Sequence, residues 1–258
     1  DLKKLEAAEI ALIRDWIAQG AKTARSEPES LDAVLITAEE RNFWAFQPIK
    51  NPPVPEGVKN PIDAFLLRKL KTKGLGFAAA ADKRTLIRRA TFDLTGLPPS
   101  PDEVAAFLAD NRPGGWERLV DRLLASPHYG QRWGRHWLDV ARYADSNGLD
   151  ENLAYANAYH FRDYVITCFN KDKPYDKFII EQLAGDLLDE ATNEQQVAAA
   201  YNRLNMITFE GGSQAKEFLL KYAADRVRNF STVWLGSTVG CAECHDHKFD
   251  PYSTRDFY

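Results

Sequence analysis

Apolar side chains recur at the spacing of an α-helix along almost all of the chain from residue 61 onward. Pro61 suits the first turn of a helix, and Ile62 and Phe65 then mark one face of it. Few stretches show the period-two alternation that is typical of strands. The pattern therefore predicts a mostly α fold, an irregular multi-helix domain with long loops around 145–155 and 205–213.

Start and stop signals divide this segment into separate helices. Ser100, Pro101 and Glu103 combine an N-cap, a proline at the first helical position and a capping-box acid. The stretch 95–99, with one glycine and two prolines, ends the helix that precedes them. After the helix that opens at Pro61, we predict helices near 82–93, 101–110, 115–125, 129–144, 155–170, 175–188, 193–204 and 214–235.

The part of the chain before residue 61 has a different character. Residues 3–20 place Leu5, Ile13 and Trp16 close to the helical period, and Gly20 follows as a C-terminal cap. This pattern predicts an amphipathic helix that needs a partner surface.

An extended connector is predicted to follow that helix. Serines and prolines dominate both of its ends, and Phe43, Trp44 and Phe46 lie between them. We expect these aromatic side chains to dock onto the domain that follows. The predicted boundaries are 1–23 for the terminal helix, 24–60 for the connector and 61–258 for the helical domain.

Composition and charge exclude several classes of protein. The 258 residues are 45% hydrophobic and 27% charged, which indicates a globular chain rather than a disordered one. Lys and Arg total 33 against 37 Asp and Glu, so no excess of positive charge favours nucleic acid as a partner. The longest apolar runs fall short of the roughly 20 residues of a transmembrane helix, and no signal peptide is visible. Because the chain opens at Asp1 in a helical pattern, we expect it to be a piece of a longer polypeptide.

The motif that carries chemistry is Cys241-Ala242-Glu243-Cys244-His245, a C-x-x-C-H sequence. This is the attachment signature of c-type haem. Two thiols separated by two residues can add to the two vinyl groups on one edge of the porphyrin. The next residue, His245, then lies beneath the ring as the proximal iron ligand. The motif predicts one covalent haem c.

Other interpretations of the motif stay open at the level of sequence. A thioredoxin-like redox pair requires a βαβ context, which a helical chain lacks. Cys241 and Cys244 with His245 or His247 can supply three zinc ligands, and Cys168 or a distant histidine a fourth. Chance is the third alternative. The haem interpretation also accounts for the odd cysteine count, because Cys168 then remains as a small apolar residue in a helix core.

The sixth coordination position of a haem iron is either filled by a ligand or left vacant. Met206 is the single methionine, and His/Met ligation is typical of electron transfer. His136 lies between Trp133 and Trp137 in a pattern that resembles a buried haem ligand. His160 is a third candidate on a helix. Met206 and His136 are the two principal candidates, and ordinary packing is the alternative for each.

The residues after the motif suggest how His245 is oriented. Asp246 or Asp250 can accept a hydrogen bond from the ring nitrogen that does not face the iron. Either aspartate can equally cap the next helix, near Ser253.

Several segments in order resemble a known family, the planctomycete cytochrome-like domain of large exported proteins. The match covers about residues 43–258. Its segments are DLTGLPP (93–99), WLDVARYADS (137–146), YDKF (175–178), EQLAGDLL (181–188), EGG (210–212) and CAECHDHKFDP (241–251). Residues 8–21 look like the closing helix of a preceding cytochrome c domain, whose own C-x-x-C-H lies outside this sequence.

The resemblance implies haem c and export, without naming a reaction. Its partners are then other redox domains or haems of the same longer polypeptide, at a periplasmic or cell-surface location. Because His136 lies in a strongly matching segment, the resemblance favours His136 slightly as the sixth ligand. The main hypothesis is electron transfer. The alternatives are a haem enzyme or ligand-binding module with an open distal site near Arg142, Asp145 or His160, and a zinc-binding structural surface module.

Overall fold

The computed structural model describes residues 5–22, 37–149 and 151–258. Twelve α-helices lie within these ranges. They are α1 (Ala7–Ala18), α2 (Ala38–Arg41), α3 (Pro61–Lys71), α4 (Lys83–Thr95), α5 (Pro101–Ala109), α6 (Gly115–Leu124), α7 (Pro127–Ala141), α8 (Tyr159–Asn170), α9 (Tyr175–Ala184), α10 (Asn193–Ala198), α11 (Ala215–Phe230) and α12 (Thr254–Phe257).

Short irregular turns join these helices. Four are 3₁₀ turns at Trp44–Phe46, Gly185–Leu187, Ala199–Arg203 and Val239–Glu243, and one is a π-helical turn at Ser231–Leu235. The described residues contain no β-strand; an isolated antiparallel bridge pairs Ser146 with Ala154. The prediction of a mostly α fold is confirmed.

Local capping explains where the helices begin and end. The Ser100 hydroxyl accepts the Glu103 amide at 3.2 Å, and the Glu103 carboxylate accepts the Ser100 amide at 2.8 Å. This is the predicted capping box at the start of α5. Gly96 follows α4 in the left-handed conformation, which a glycine adopts at no steric cost. Helix α8 begins later than predicted, because residues 155–158 form a turn.

The largest core cluster joins α7, α8, α9 and the turn after α10. Its buried members include Leu138, Phe161, Val165, Phe178 and Tyr201. The Trp137 ring completes it, with centroids 4.9 Å from Phe178 and 5.0 Å from Trp234. The indole of Trp137 also donates a hydrogen bond to Gln182 Oε1 at 2.9 Å. This cluster fixes the central helices against each other.

Two smaller clusters flank the central one. Helices α4, α5 and α6 enclose Ile87, Ala90, Phe107, Leu119 and Leu123. A third cluster near the end of the chain joins α11, α12 and the 3₁₀ turn Val239–Glu243, and it positions the C-x-x-C-H motif.

Before residue 61, the structure agrees with the predicted helix but not with the predicted docking of the aromatic residues. Helix α1 lies within the predicted range 3–20, and all of its side chains are exposed. The Phe43 ring lies 5.8 Å from Trp44 and 6.1 Å from Phe46, and Trp44 is 79% exposed. These aromatic residues therefore contact one another at the surface, unlike the docked arrangement that the sequence predicts. The remaining residues of the predicted terminal helix and connector, 1–4 and 23–36, lie outside the described ranges.

Among the described residues, no helix is long and apolar enough to cross a membrane.

Candidate functional site

The C-x-x-C-H motif forms one compact surface turn, residues 239–245, which we call the motif turn. Its 3₁₀ segment is Val239–Glu243, and the Cys244 amide donates to the Cys241 carbonyl at 3.4 Å. Side chains three residues apart are eclipsed in such a turn, so the two cysteines share a side. Both thiols are exposed and free. The structure therefore presents two adjacent thiols to solvent.

Ala242, one of the two residues between the cysteines, holds the motif turn against the rest of the protein. Ala242 is completely buried, in a cluster with Val239 and Phe257, and Ala224 and Val227 of α11 pack against this cluster. A buried residue flanked by two exposed cysteines forces the thiols outward. The turn is thus anchored from behind by α11 and α12.

An ion pair adds a second attachment. Glu243, the other residue between the cysteines, pairs with Arg228 of α11. Because both side chains are partly exposed, this pair contributes modestly to stability.

His245 is exposed, with one ring nitrogen already engaged. Its Nδ1 lies 2.8 Å from the carbonyl oxygen of Asp246, a geometry in which Nδ1–H donates. This tautomer leaves the lone pair on Nε2 available to a metal. The acceptor is the backbone carbonyl of Asp246, not a carboxylate. Of the two roles that the sequence left open for the Asp246 carboxylate, the structure shows the capping role, because this carboxylate accepts the Thr254 amide at 2.8 Å at the start of α12.

His247 has both ring nitrogens engaged by neighbouring residues. Its Nδ1 accepts the Asp250 amide at 2.8 Å, and its Nε2 lies 3.2 Å from Thr238 Oγ1. His247 is thus a structural residue that shapes the segment after the motif. Within the described ranges, no three or more His, Cys, Asp or Glu side chains are grouped so that they can hold a metal ion.

The residues of the motif turn fit a covalently attached haem. Two thiols are free and adjacent, and the histidine that follows them has Nε2 available and its ring oriented by the backbone. The imidazole would be the iron ligand and the two thiols the attachment groups, which matches the attachment signature.

Met206, the first candidate sixth ligand, lies on the far side of α11 from the motif turn. The Thr208 amide of its loop donates to the Tyr222 hydroxyl at 2.8 Å. With 3.6 residues per turn, Tyr222 lies across the helix from Ala224 and Val227, which pack against the motif turn. The structure therefore does not bring Met206 and His245 together.

His136, the second candidate, is exposed on α7. Its ring centroid lies 5.3 Å from that of Trp133, which is itself partly exposed. Trp137 instead points into the core. The buried aromatic surroundings predicted for His136 are not what the structure has.

His160 and Met206 line a cavity together with Arg142, so two of the three residues expected near an open site, Arg142 and His160, do border an open space. The cavity has a volume of about 800 Å³ and lies between the 142–148 segment, the start of α8 and the 197–209 segment. Its walls come from loops and helix ends that are far apart in sequence, so no local sequence motif predicts the cavity.

Cys168 is separate from the motif, as predicted. It is 3% exposed in the central core, and burial raises the pKa of its thiol. The motif cysteines and Cys168 thus occupy opposite environments.

The fold and the motif turn define a mostly helical domain with an exposed C-x-x-C-H site. A family model matches residues 61–258, and the chain belongs to that family, PSCyt2, described as "Protein of unknown function (DUF1549)". Comparison with curated proteins and with solved structures gave no match.

Proposed function

We propose that this domain is a c-type cytochrome that carries one covalent haem at the motif turn and transfers electrons. The observation that carries the proposal is the outward presentation of Cys241 and Cys244 on either side of the buried Ala242. Cys241 and Cys244 would hold the haem covalently, each through one thioether bond to a vinyl group.

In this proposal the chain orients the proximal ligand through its own backbone. The Asp246 carbonyl oxygen holds Nδ1–H of His245, which fixes the ring and leaves Nε2 as the atom that would bind the iron. When bound, the haem supplies one-electron redox chemistry. The exposed motif turn places that chemistry at the surface, where a redox partner can approach it.

A specific observation also supports a second candidate, a haem module with an open distal site. Met206 lies across α11 from the motif turn, and His136 is exposed on α7. Neither residue is positioned beside His245, so neither would supply a second iron ligand to a haem held at the motif turn.

The wider setting follows from haem attachment and from the resemblance. Haem c is attached outside the cytoplasm, so we propose a periplasmic or cell-surface location. We further propose that residues 8–21 close a preceding cytochrome c domain and that the redox partners are other haems of the same longer polypeptide.

The decisive experiment is a pyridine haemochrome assay on the chain expressed together with a cytochrome c maturation system. We expect one haem per chain with a c-type spectrum, retained after acid–acetone extraction. The double variant Cys241→Ala/Cys244→Ala is expected to retain none. Cys168→Ala, a cysteine variant outside the motif turn, is expected to retain a full complement. A folded wild-type chain that contains zinc and no haem contradicts the proposal.

Carbon monoxide separates the two candidates. An open distal site predicts rapid CO binding by the reduced protein, whereas a low-spin spectrum without CO binding supports electron transfer with a filled sixth position. From the placement of the two side chains, we expect Met206→Ala and His136→Ala to leave the optical spectrum unchanged.

A further inference from the structure

The cavity of about 800 Å³ has the size of a small-molecule binding site. It lies on the face of α11 that carries Tyr222 and Arg226, because the Met206 loop packs on that face. The motif turn packs on the opposite face. The cavity is therefore distinct from the proposed haem site.

The walls of the cavity are mainly apolar. Phe161 and Val197 contribute from helices, and Leu204, Ile207 and Phe209 contribute from the segment that follows the Ala199–Arg203 turn. A ligand with a hydrophobic body gains free energy by removing such walls from water.

The charge of the cavity differs from that of the chain as a whole. Two arginines, Arg142 and Arg203, line it, and no aspartate or glutamate is among the described lining residues. Arg142 is held by Asp225 through two hydrogen bonds of 2.7 and 2.8 Å. Arg203 has no acidic partner within the described ranges, in a chain whose net charge is −4. An unpaired guanidinium beside apolar walls favours an anionic ligand, above all a carboxylate.

Two buried polar atoms belong to residues of the cavity wall and lack hydrogen-bond partners among the described residues. They are Asn147 Oδ1 and the Tyr155 hydroxyl. The amide orientation of Asn147 is fixed, because its Nδ2 donates to the Ile207 carbonyl at 2.8 Å. Buried polar atoms without partners are rare in native proteins. Asn147 is only 1% exposed, so its Oδ1 lies behind the cavity surface and is not a contact for a ligand.

We propose that this cavity binds a small, mostly apolar carboxylate. Arg203 pairs with the carboxylate, and the apolar walls enclose the body of the ligand. This site is independent of the haem proposal, since none of these residues belongs to the motif turn.

Isothermal titration calorimetry on the full chain tests the proposal with 6-hydroxy-2-naphthoate as the probe. Heat is measured whether or not haem is attached. We expect saturable binding with one site per chain. Loss of a charged hydrogen bond costs about tenfold in affinity, so we expect 2-naphthol, which lacks the carboxylate, to bind about tenfold more weakly. Absence of saturable heat, or equal affinity for the two probes, overturns the proposal.

Three variants locate the site. Arg203→Gln is expected to lower the affinity for 6-hydroxy-2-naphthoate and leave that for 2-naphthol unchanged. Ala156 is an exposed residue of the cavity lining. The variant Ala156→Trp is designed to fill part of the cavity with a large ring, and it is expected to abolish binding of both probes. Arg84→Gln, an exposed arginine of α4, is the matched control and is expected to bind as the wild type does. Unchanged binding by Arg203→Gln places the probe elsewhere and contradicts the proposal.

Discussion

At the scale of single residues, Glu181 shows how a charge is accommodated near the core. Its carboxylate is buried, accepts the Tyr164 hydroxyl at 2.8 Å and pairs with Lys173. Burial alone raises the pKa of this carboxyl, but the hydrogen bonds from Lys173 and Tyr164 together outweigh it and lower the pKa below the ordinary 4.5. The ionised form of Glu181 therefore stabilises the folded protein.

Replacing this carboxylate tests the effect of the pair on stability. We expect Glu181→Gln to lower the free energy of unfolding by about 2 kcal/mol at pH 7, because Lys173 loses its buried partner. The folded pKa is depressed, so the contribution is complete above pH 4.5 and is lost as the pH falls through the folded pKa. Urea unfolding measures this: the difference in the free energy of unfolding between the wild type and the variant should be smaller at pH 3 than at pH 7.

Glu194 provides the matched control for Glu181. It also lies near Lys173, at 3.4 Å, but its side chain is largely exposed. We expect Glu194→Gln to change the free energy of unfolding by less than about 1 kcal/mol. Equal effects of the two variants contradict the role assigned to burial.

Cys168 gives a second test at the residue scale. Because the thiolate is the reactive form, a buried thiol with a raised pKa reacts slowly. In the haem-carrying protein, we expect Ellman's reagent to label no thiol in the folded state and one thiol per chain in denaturant. Cys168→Ala should give none in either state. Rapid labelling of the folded wild type contradicts the burial of Cys168, and three thiols in denaturant contradict haem attachment instead.

His136 shows why the surroundings of a residue are hard to predict from its neighbours in sequence. Adjacent residues on a helix point about 100° apart. Trp137 therefore enters the core, while His136 lies on the exposed side of α7 with Trp133. The aromatic pattern was visible in the sequence, but the direction of each ring was not.

At the scale of elements, α7 and α8 approach each other closely at Gly130. A Cβ atom added at Gly130 would lie 2.4 Å from the Ile166 carbonyl oxygen, whereas one added at Gly134 would have its nearest neighbour at 3.4 Å. We expect Gly130→Ala to lower the free energy of unfolding by about 2 kcal/mol, because the backbone of α8 has to move. Gly134→Ala should raise it by up to about 1 kcal/mol through helix propensity. Urea unfolding curves measure both, and equal effects contradict this packing.

The elements themselves were largely predictable, since their signals are local. Ser100 with Glu103 marked the start of α5, and the 95–99 stretch marked the end of α4. The sequence pattern did not reveal that α11 ends at Phe230 and continues as a π-helical turn.

The candidate site was predictable only in part, because only its local features are visible in the sequence. The motif residues are neighbours in sequence and meet in one turn. The separation of the motif turn from Met206 depends on the two opposite faces of α11, which is a tertiary property. The cavity likewise depends on loops brought together by the fold.

At the scale of the whole molecule, stability resides in the part of the chain after residue 60. Its buried side chains form three clusters, whereas every side chain of α1 is exposed. We expect deletion of residues 1–60 to change the midpoint of thermal unfolding by less than about 3 °C, the shift that about 1 kcal/mol produces at this size. Circular dichroism measures the change.

A larger loss of thermal stability contradicts this prediction and supports docking of the first 60 residues. The variant Trp44→Ala distinguishes the aromatic residues from the rest of this segment. Because Trp44 is exposed, we expect the variant to unfold as the wild type does.

The anchoring of the motif turn has a consequence for the order of biosynthetic events. Ala242 and Phe257 hold the turn from the inside, while both thiols and the His245 imidazole remain accessible from outside. Addition of a large ring to this surface does not require the interior to open. Under the proposed haem function, folding and haem loading could therefore occur in either order, and an assembly enzyme could act on a chain that has already reached its final shape.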